Sequence, residues 1–147
     1  MSWEHADWQS DLFAHVSRLL QLRRDNPALR PVRFAHDLDT VPGASVIDWY
    51  DEHGETMSIQ RWTDPAHRTL QYDARSTPES EEPNRVLLIV HGNETPVEVT
   101  LPRIDGVQRY VSLWSSLDER PSQQETPFAP GDVVSLPDTA MHLFRIE

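Results

Sequence analysis

Histidines are the first residues able to do chemistry here: His5, His15, His36, His53, His67, His91 and His142. No two stand four apart, the spacing that puts two metal ligands on one helix face, and no His-Glu-x-x-His occurs. Asp37-Leu38-Asp39 begins like a calcium loop, but the glycine and closing glutamate are out of place, so it reads as a solvated turn. Cysteine is absent, which excludes thiol nucleophiles, thiolate metal sites and disulfides. There is no lysine, no Gly-x-Ser-x-Gly elbow, and neither a Walker loop nor Gly-x-Gly-x-x-Gly, so nucleotide binding by those motifs is not expected. Three carboxylate pairs remain: Asp51-Glu52, Glu81-Glu82 and Asp118-Glu119. Two carboxylates flanking a bond can hydrolyse a glycoside, provided one is held in a dry, shaped site that raises its pKa. All three pairs fall in expected turns or loops without apolar neighbours, and they read as solvated charge. No catalytic residue, cofactor or metal site is assigned.

The tryptophans carry a different chemistry. A sugar ring presents C–H faces that pack on an indole. Trp49 and Trp114 lie in expected strands, and Trp62 follows one in Arg61-Trp62-Thr63-Asp64-Pro65. These three are the candidate glycan contacts; packing within the fold is the preferred reading of each. Asn93-Glu94-Thr95 has the form of a glycosylation sequon, but Pro96 follows it and it is not taken as a modified site.

The elements that must position these residues are of two kinds. Between Ser10 and Arg24, apolar residues fall at Leu12, Phe13, Val16, Leu19 and Leu20, one stripe of an α-helix. Ser10 is placed to cap it, Asp11 and Arg23-Arg24 suit the two ends of its dipole, and Pro27 stops it. Beyond Pro31 the pattern becomes strand-like. Strands are expected over Val32–Ala35, Ser45–Tyr50, Thr56–Ile59, Thr69–Tyr72, Val86–Val90, Val97–Leu101, Arg109–Trp114, Val133–Leu136 and Met141–Ile146. Val86–Val90 is apolar on both faces and reads as a central strand. Val97, Val99 and Leu101 alternate with Glu98 and Thr100, one face buried and one wet. Asp51-Glu52-His53-Gly54 reads as a hairpin turn, and His91-Gly92-Asn93 with Pro96 as another. Ala74–Asn84 and Ser115–Gly131 read as long polar loops. Many short strands joined by proline-rich turns point to a mainly β fold, an antiparallel β-sandwich with one N-terminal amphipathic α-helix.

With 13 basic residues, all arginine, against 24 acidic ones among 147, the net charge is −11. Such a surface repels phosphate backbones and anionic lipid, so neither nucleic acid nor a membrane is an expected partner. No apolar run approaches the roughly 18 residues of a membrane span and no signal-like leader is evident, so the expected location is the cytoplasm.

The order of motifs resembles a known family. Trp3-Glu4-His5, Trp8 and the helix running through Leu19-Leu20-Gln21-Leu22-Arg23-Arg24 to Pro27-Ala28-Leu29-Arg30 resemble the last barrel helix of α-amylase-superfamily enzymes. Val46-Ile47-Asp48-Trp49-Tyr50, Gly54, Met57, Trp62-Thr63-Asp64-Pro65 and Arg68-Thr69-Leu70 resemble the C-terminal region of bacterial isoamylase-type glycogen debranching enzymes. Val86–Asn93 with Pro96–Pro102 resembles a pair of strands in the same region. The resemblance implies that residues 1–30 are the terminal helix segment of an absent TIM barrel and residues 31–147 a C-terminal β-sandwich. It implies a parent glycoside hydrolase that cleaves the α-1,6 branch linkages of glycogen or limit dextrin, whose catalytic carboxylates lie upstream of this chain. The implied partner is that barrel, with glycogen or maltooligosaccharide as a further one. A stand-alone carbohydrate-binding module and a small acidic protein-interaction adaptor are the alternatives. In isolation, the helix stripe is expected to dock on the sandwich or to pair with a second copy.

Overall fold

The structure is a computed structural model, and the described residues are 6–30, 47–76, 82–118 and 125–147. The expected strand Val32–Ala35, the Asp37-Leu38-Asp39 turn, Glu81, Glu119 and the opening Trp3-Glu4-His5 lie outside them.

The chain opens with helix α1, Asp7–Asp25, followed by a single 3-10 turn, Pro27–Leu29. α1 starts three residues before Ser10. Its N-cap is Ala6, and in place of a serine cap the Gln9 side chain reaches back to accept from the Ala6 N–H at 2.8 Å. Eight strands are described: β1 Ile47–Tyr50, β2 Thr69–Arg75, β3 Arg85–His91, β4 Val97–Thr100, β5 Tyr110–Ser115, β6 Thr126–Phe128, β7 Val133–Leu136 and β8 Ala140–Ile146. A short helix, α2 (Ile59–Thr63), interrupts β1 and β2. Six strands form one sheet in the order β1-β2-β3-β8-β5-β6, and β4 pairs with β7 in a second. Every described pairing is antiparallel.

Two faces of the large sheet are covered differently. Its inner face carries Leu87, Ile89, Phe144 and Ile146 against Val99 and Leu101 of the β4 segment and Val134 and Leu136 of β7, all buried. That layer is the sandwich core, and each such side chain contributes about 1.5–3 kcal/mol by leaving water. The outer face carries Ala74, Val86, Leu113 and Leu143, and these receive Leu22 of α1 and Ala28 of the 3-10 turn. β3 is third of six and pairs on both sides, the central place that its two apolar faces require.

Several expectations need correction. Thr56–Ile59 is not a strand: Thr56 makes one bridge to Tyr50, and then Ser58 caps α2 by accepting the Arg61 N–H at 3.2 Å. Alternating Met57 and Ile59 mimic a strand, but an ST-type cap after extended backbone starts a helix. The segment 115–131 is not all loop, because Thr126–Phe128 adds edge strand β6 to β5; Pro127 is tolerated there because an edge strand has an unpaired outer side that requires no N–H. Ala74 and Arg75 extend β2, and the loop that follows is closed by Ser76 and Asn84, whose N–H groups donate respectively to the Asn84 carbonyl (2.8 Å) and the Ser76 hydroxyl (2.7 Å). The turn at His91–Pro96 carries the chain from the large sheet to the small one.

The helix stripe does not dock on the sandwich, the first of its two expected covers. Leu12, Phe13, Val16, Leu19 and Leu20 are 41–74% exposed, and Trp8 is 64% exposed. α1 docks on its own sandwich not by that stripe but by Leu22 and Arg18, four apart on an adjacent face, with an Arg18 Nη2 to Leu113 carbonyl contact of 3.4 Å. Among the described residues no helix is long and apolar enough to cross a membrane.

Candidate functional site

The aromatic residues are set by register. Trp49 on β1 lies opposite Tyr72, Tyr72 opposite Leu88, Leu88 opposite Leu143, and Leu143 opposite Trp114 on β5. Cross-strand partners share a face, so one row of large side chains runs across five strands on the outer face. A bulge between Ser112 and Trp114 leaves Leu113 and Trp114 together on that face. Trp49 and Trp114 stand at opposite ends of the row, four strand spacings or roughly 19 Å apart.

Trp62 joins the Trp49 end. α2 carries it onto Trp49 with ring centroids 5.4 Å apart and planes at 77°, and Tyr72 also meets Trp49, at 4.9 Å. The edge-to-face contact uses the positive rim of one ring against the negative face of the other. Trp62 keeps half its surface in solvent. Trp114 is not part of this cluster. It packs against the Leu22–Leu143 layer, and its indole N–H is buried without an acceptor.

Polar groups surround Trp62. The Asp51-Glu52 pair is not solvated, contrary to the expectation from sequence. Asp51 is 6% exposed and its Oδ1 accepts the N–H groups of His53 (2.9 Å) and Glu55 (3.1 Å). Arg61 from α2 reaches both carboxylates, 3.5 Å from Asp51 Oδ2 and 3.1 Å from Glu52 Oε1. His67 Nδ1 lies 3.2 Å from Glu52 Oε2 and His53 Nε2 lies 3.4 Å from Glu52 Oε1. The hairpin turn supplies the N–H groups and α2 the guanidinium, so the pair fastens the helix to the turn. Gln71 adds a tie between the sheets by donating to the carbonyls of Asp51 (2.7 Å) and Thr100 (2.9 Å).

Two shallow grooves meet here, sharing Arg61, Asp64, His67, Arg68 and Thr69. One, about 370 Å³, is walled by Trp62, Met57 and Pro65; the other, about 250 Å³, runs toward His91 and Thr95. His91 itself is committed: its Nε2–H donates to the Thr95 carbonyl at 2.9 Å, which leaves Nδ1 to accept from Thr69 Oγ1 at 2.7 Å. His67 is buried with Nε2 unpartnered. Among the described residues no group of three or more His, Cys, Asp or Glu is arranged to hold a metal. The arrangement offers an aromatic platform beside fixed hydrogen-bonding groups.

No family model matches the sequence and no curated protein is significantly similar to it. A solved structure is. MutB, determined as a mutant in complex with glucose, superposes with a TM-score of 0.50 at 18% identity, over 92% of this chain and 18% of that one. The chain shares with the matched part of MutB a mainly antiparallel β-sandwich fold with one N-terminal helix. It spans less than a fifth of MutB's length.

Of the three tryptophans singled out by sequence, the fold brings Trp49 and Trp62 together and leaves Trp114 apart. Tyr72, Asp64, His67 and Arg68 were not anticipated. Tyr72 had a readable signal, since it lies in an expected strand whose neighbours Leu70 and Gln71 alternate. His67 and Arg68 had none, because they sit in a turn whose path depends on α2.

Proposed function

We propose that this chain is the C-terminal region of a glycoside hydrolase of the α-amylase superfamily. Residues 1–30 belong to the edge of the catalytic barrel, and residues 31–147 form a sandwich that packs on the barrel and stabilises it. The observation that carries this reading is the uncovered stripe of α1. Five large apolar side chains at helical spacing stand in solvent while the same helix is firmly tied at its other end. Contiguous apolar surface of this kind marks an interface. A barrel strand layer preceding α1 in the chain supplies the missing cover, and the coverage of MutB leaves room for such a barrel.

The parent's reaction is hydrolysis of α-1,6 branch linkages in glycogen or limit dextrin. Support for that finer statement comes from the motif order Trp49, Gly54, Met57, Trp62-Thr63-Asp64-Pro65 and Arg68-Thr69-Leu70. Among the described residues, the Asp51–Glu52 pair is engaged by Arg61, His67 and turn N–H groups and serves as a structural tie. The test is to isolate the natural polypeptide with an antibody to this chain and supply glycogen limit dextrin. Release of linear maltooligosaccharides is expected. Release of glucose isomers or transfer products overturns debranching; absence of any action on α-glucans overturns the glycoside hydrolase itself.

A further inference from the structure

We infer that the groove beside Trp62 is a saccharide-binding site. The choice of an α-glucan as its ligand rests on the proposed function; the site itself does not. Three observations place it. Trp62 is half exposed and meets Trp49 edge-to-face, so its ring is held at a fixed angle. Its bracing is rigid, since the Ser58 cap and the Arg61 pairs with Asp51 and Glu52 hold α2 in place. The adjoining groove of about 370 Å³ lies within the range of small-ligand sites, roughly 300–1,000 Å³. Its rim carries Asp64 and Arg68, an acceptor and a donor, and His67 lines it with a buried Nε2 that has no partner. An aromatic face for C–H groups with donors and acceptors at its edge is what a neutral pyranose requires, and a net charge of −11 disfavours an anionic ligand.

The site also lies clear of α1. α1 is tied to the Arg75–Arg85 end of the β2–β3 hairpin, through Asn84 and Ala28. The groove lies at the Thr69–His91 end. Six strand steps separate the two, roughly 20 Å.

The experiment titrates the 147-residue chain with maltohexaose, followed by tryptophan emission and by calorimetry, with cellohexaose as the comparison. Maltohexaose is expected to bind and change the emission. Trp62→Ala is expected to weaken binding by about tenfold or more, equivalent to about 1.4 kcal/mol, with Trp114→Ala unchanged. Arg68→Ala, on an exposed side chain, is expected to weaken binding as well and guards against a folding defect in the Trp62 variant. Failure of both sugars to bind, or loss on Trp114→Ala alone, overturns the site and leaves the parent-enzyme reading untouched. Binding of cellohexaose in preference to maltohexaose overturns the α-glucan assignment and counts against the debranching reading.

Discussion

Gly54 shows how one residue joins the hairpin turn to the second sheet. Its φ is +78°, and a Cβ there would stand 2.9 Å from the Thr100 carbonyl oxygen and 3.2 Å from Pro102 Cα. Both neighbours are backbone and cannot swing away. Gly54→Ala therefore meets left-handed strain and a clash together, and thermal or urea unfolding is expected to show a loss of about 2–4 kcal/mol. A change below half a kcal/mol would contradict the close approach of turn and strand. His142 is a second decisive residue. Its ring stacks on Phe144 at 4.2 Å and shares a 2.7 Å hydrogen bond with Ser112 Oγ. Burial pushes its pKa down from the ordinary value near 6.5 to about 4, with Asp118 opposing weakly. The folded state thus resists a proton that the unfolded chain accepts. The resulting stability is complete above pH 6.5 and is lost as pH falls from 6.5 toward 4, a change on the order of 3 kcal/mol. His142→Gln is expected to flatten the dependence of the urea midpoint on pH across that window; an unchanged slope would remove His142 as its source.

At the scale of elements, the end of α1 depends on an asparagine relay. Asn26 Nδ2 donates to the Leu22 carbonyl at 2.8 Å, Asn84 Nδ2 donates to Asn26 Oδ1 at 2.7 Å, and Asn84 Oδ1 accepts the Ala28 N–H at 2.9 Å. Asn84→Ala leaves Asn26 Oδ1 and the Ala28 N–H without this partner, a cost of about 1–3 kcal/mol. Amide exchange at Leu22–Leu29 is expected to accelerate while β3 and β8 stay protected; equal acceleration throughout would mean that α1 and the sandwich unfold as one unit. These long-range ties were not legible in the sequence, because they join residues 58 apart with no periodic signature. What was legible is periodic. β3 announces itself by five consecutive aliphatic residues, and β4 by its strict alternation. α2 is too short for helical periodicity to register, and β6 hides in a polar segment. The α1 stripe was read correctly as helical, and of its two expected covers, the sandwich or a second copy, the sandwich is not the one used. Periodicity identifies an apolar face without naming what covers it. Asp51 and Glu52 were misread for the same reason: their burial is created by Arg61 and His67, which the chain brings back only after α2.

For the whole molecule, the exposed stripe is the feature that a sandwich alone does not explain. In isolation, two copies are expected to pair through it. Sedimentation of the 147-residue chain should show concentration-dependent dimers, and replacing Leu19 and Leu20 by Glu should yield monomers with an unchanged sandwich spectrum. Monomers at every concentration, with slow amide exchange across Leu12–Leu20, would instead show that the stripe finds cover within its own chain. If the double replacement abolishes the binding of a separate protein in cell extract and leaves the natural polypeptide small, the helix serves an adaptor and not a barrel.

The central claim is that this chain is the C-terminal part of a larger enzyme, and the mass of the natural polypeptide tests it most directly. Detected in source cells with an antibody to this chain, the protein is expected to be larger by at least the roughly 250 residues of a TIM barrel. A sole band at 17.0 kDa would contradict the account and leave an autonomous sandwich whose helix stripe must meet some other partner.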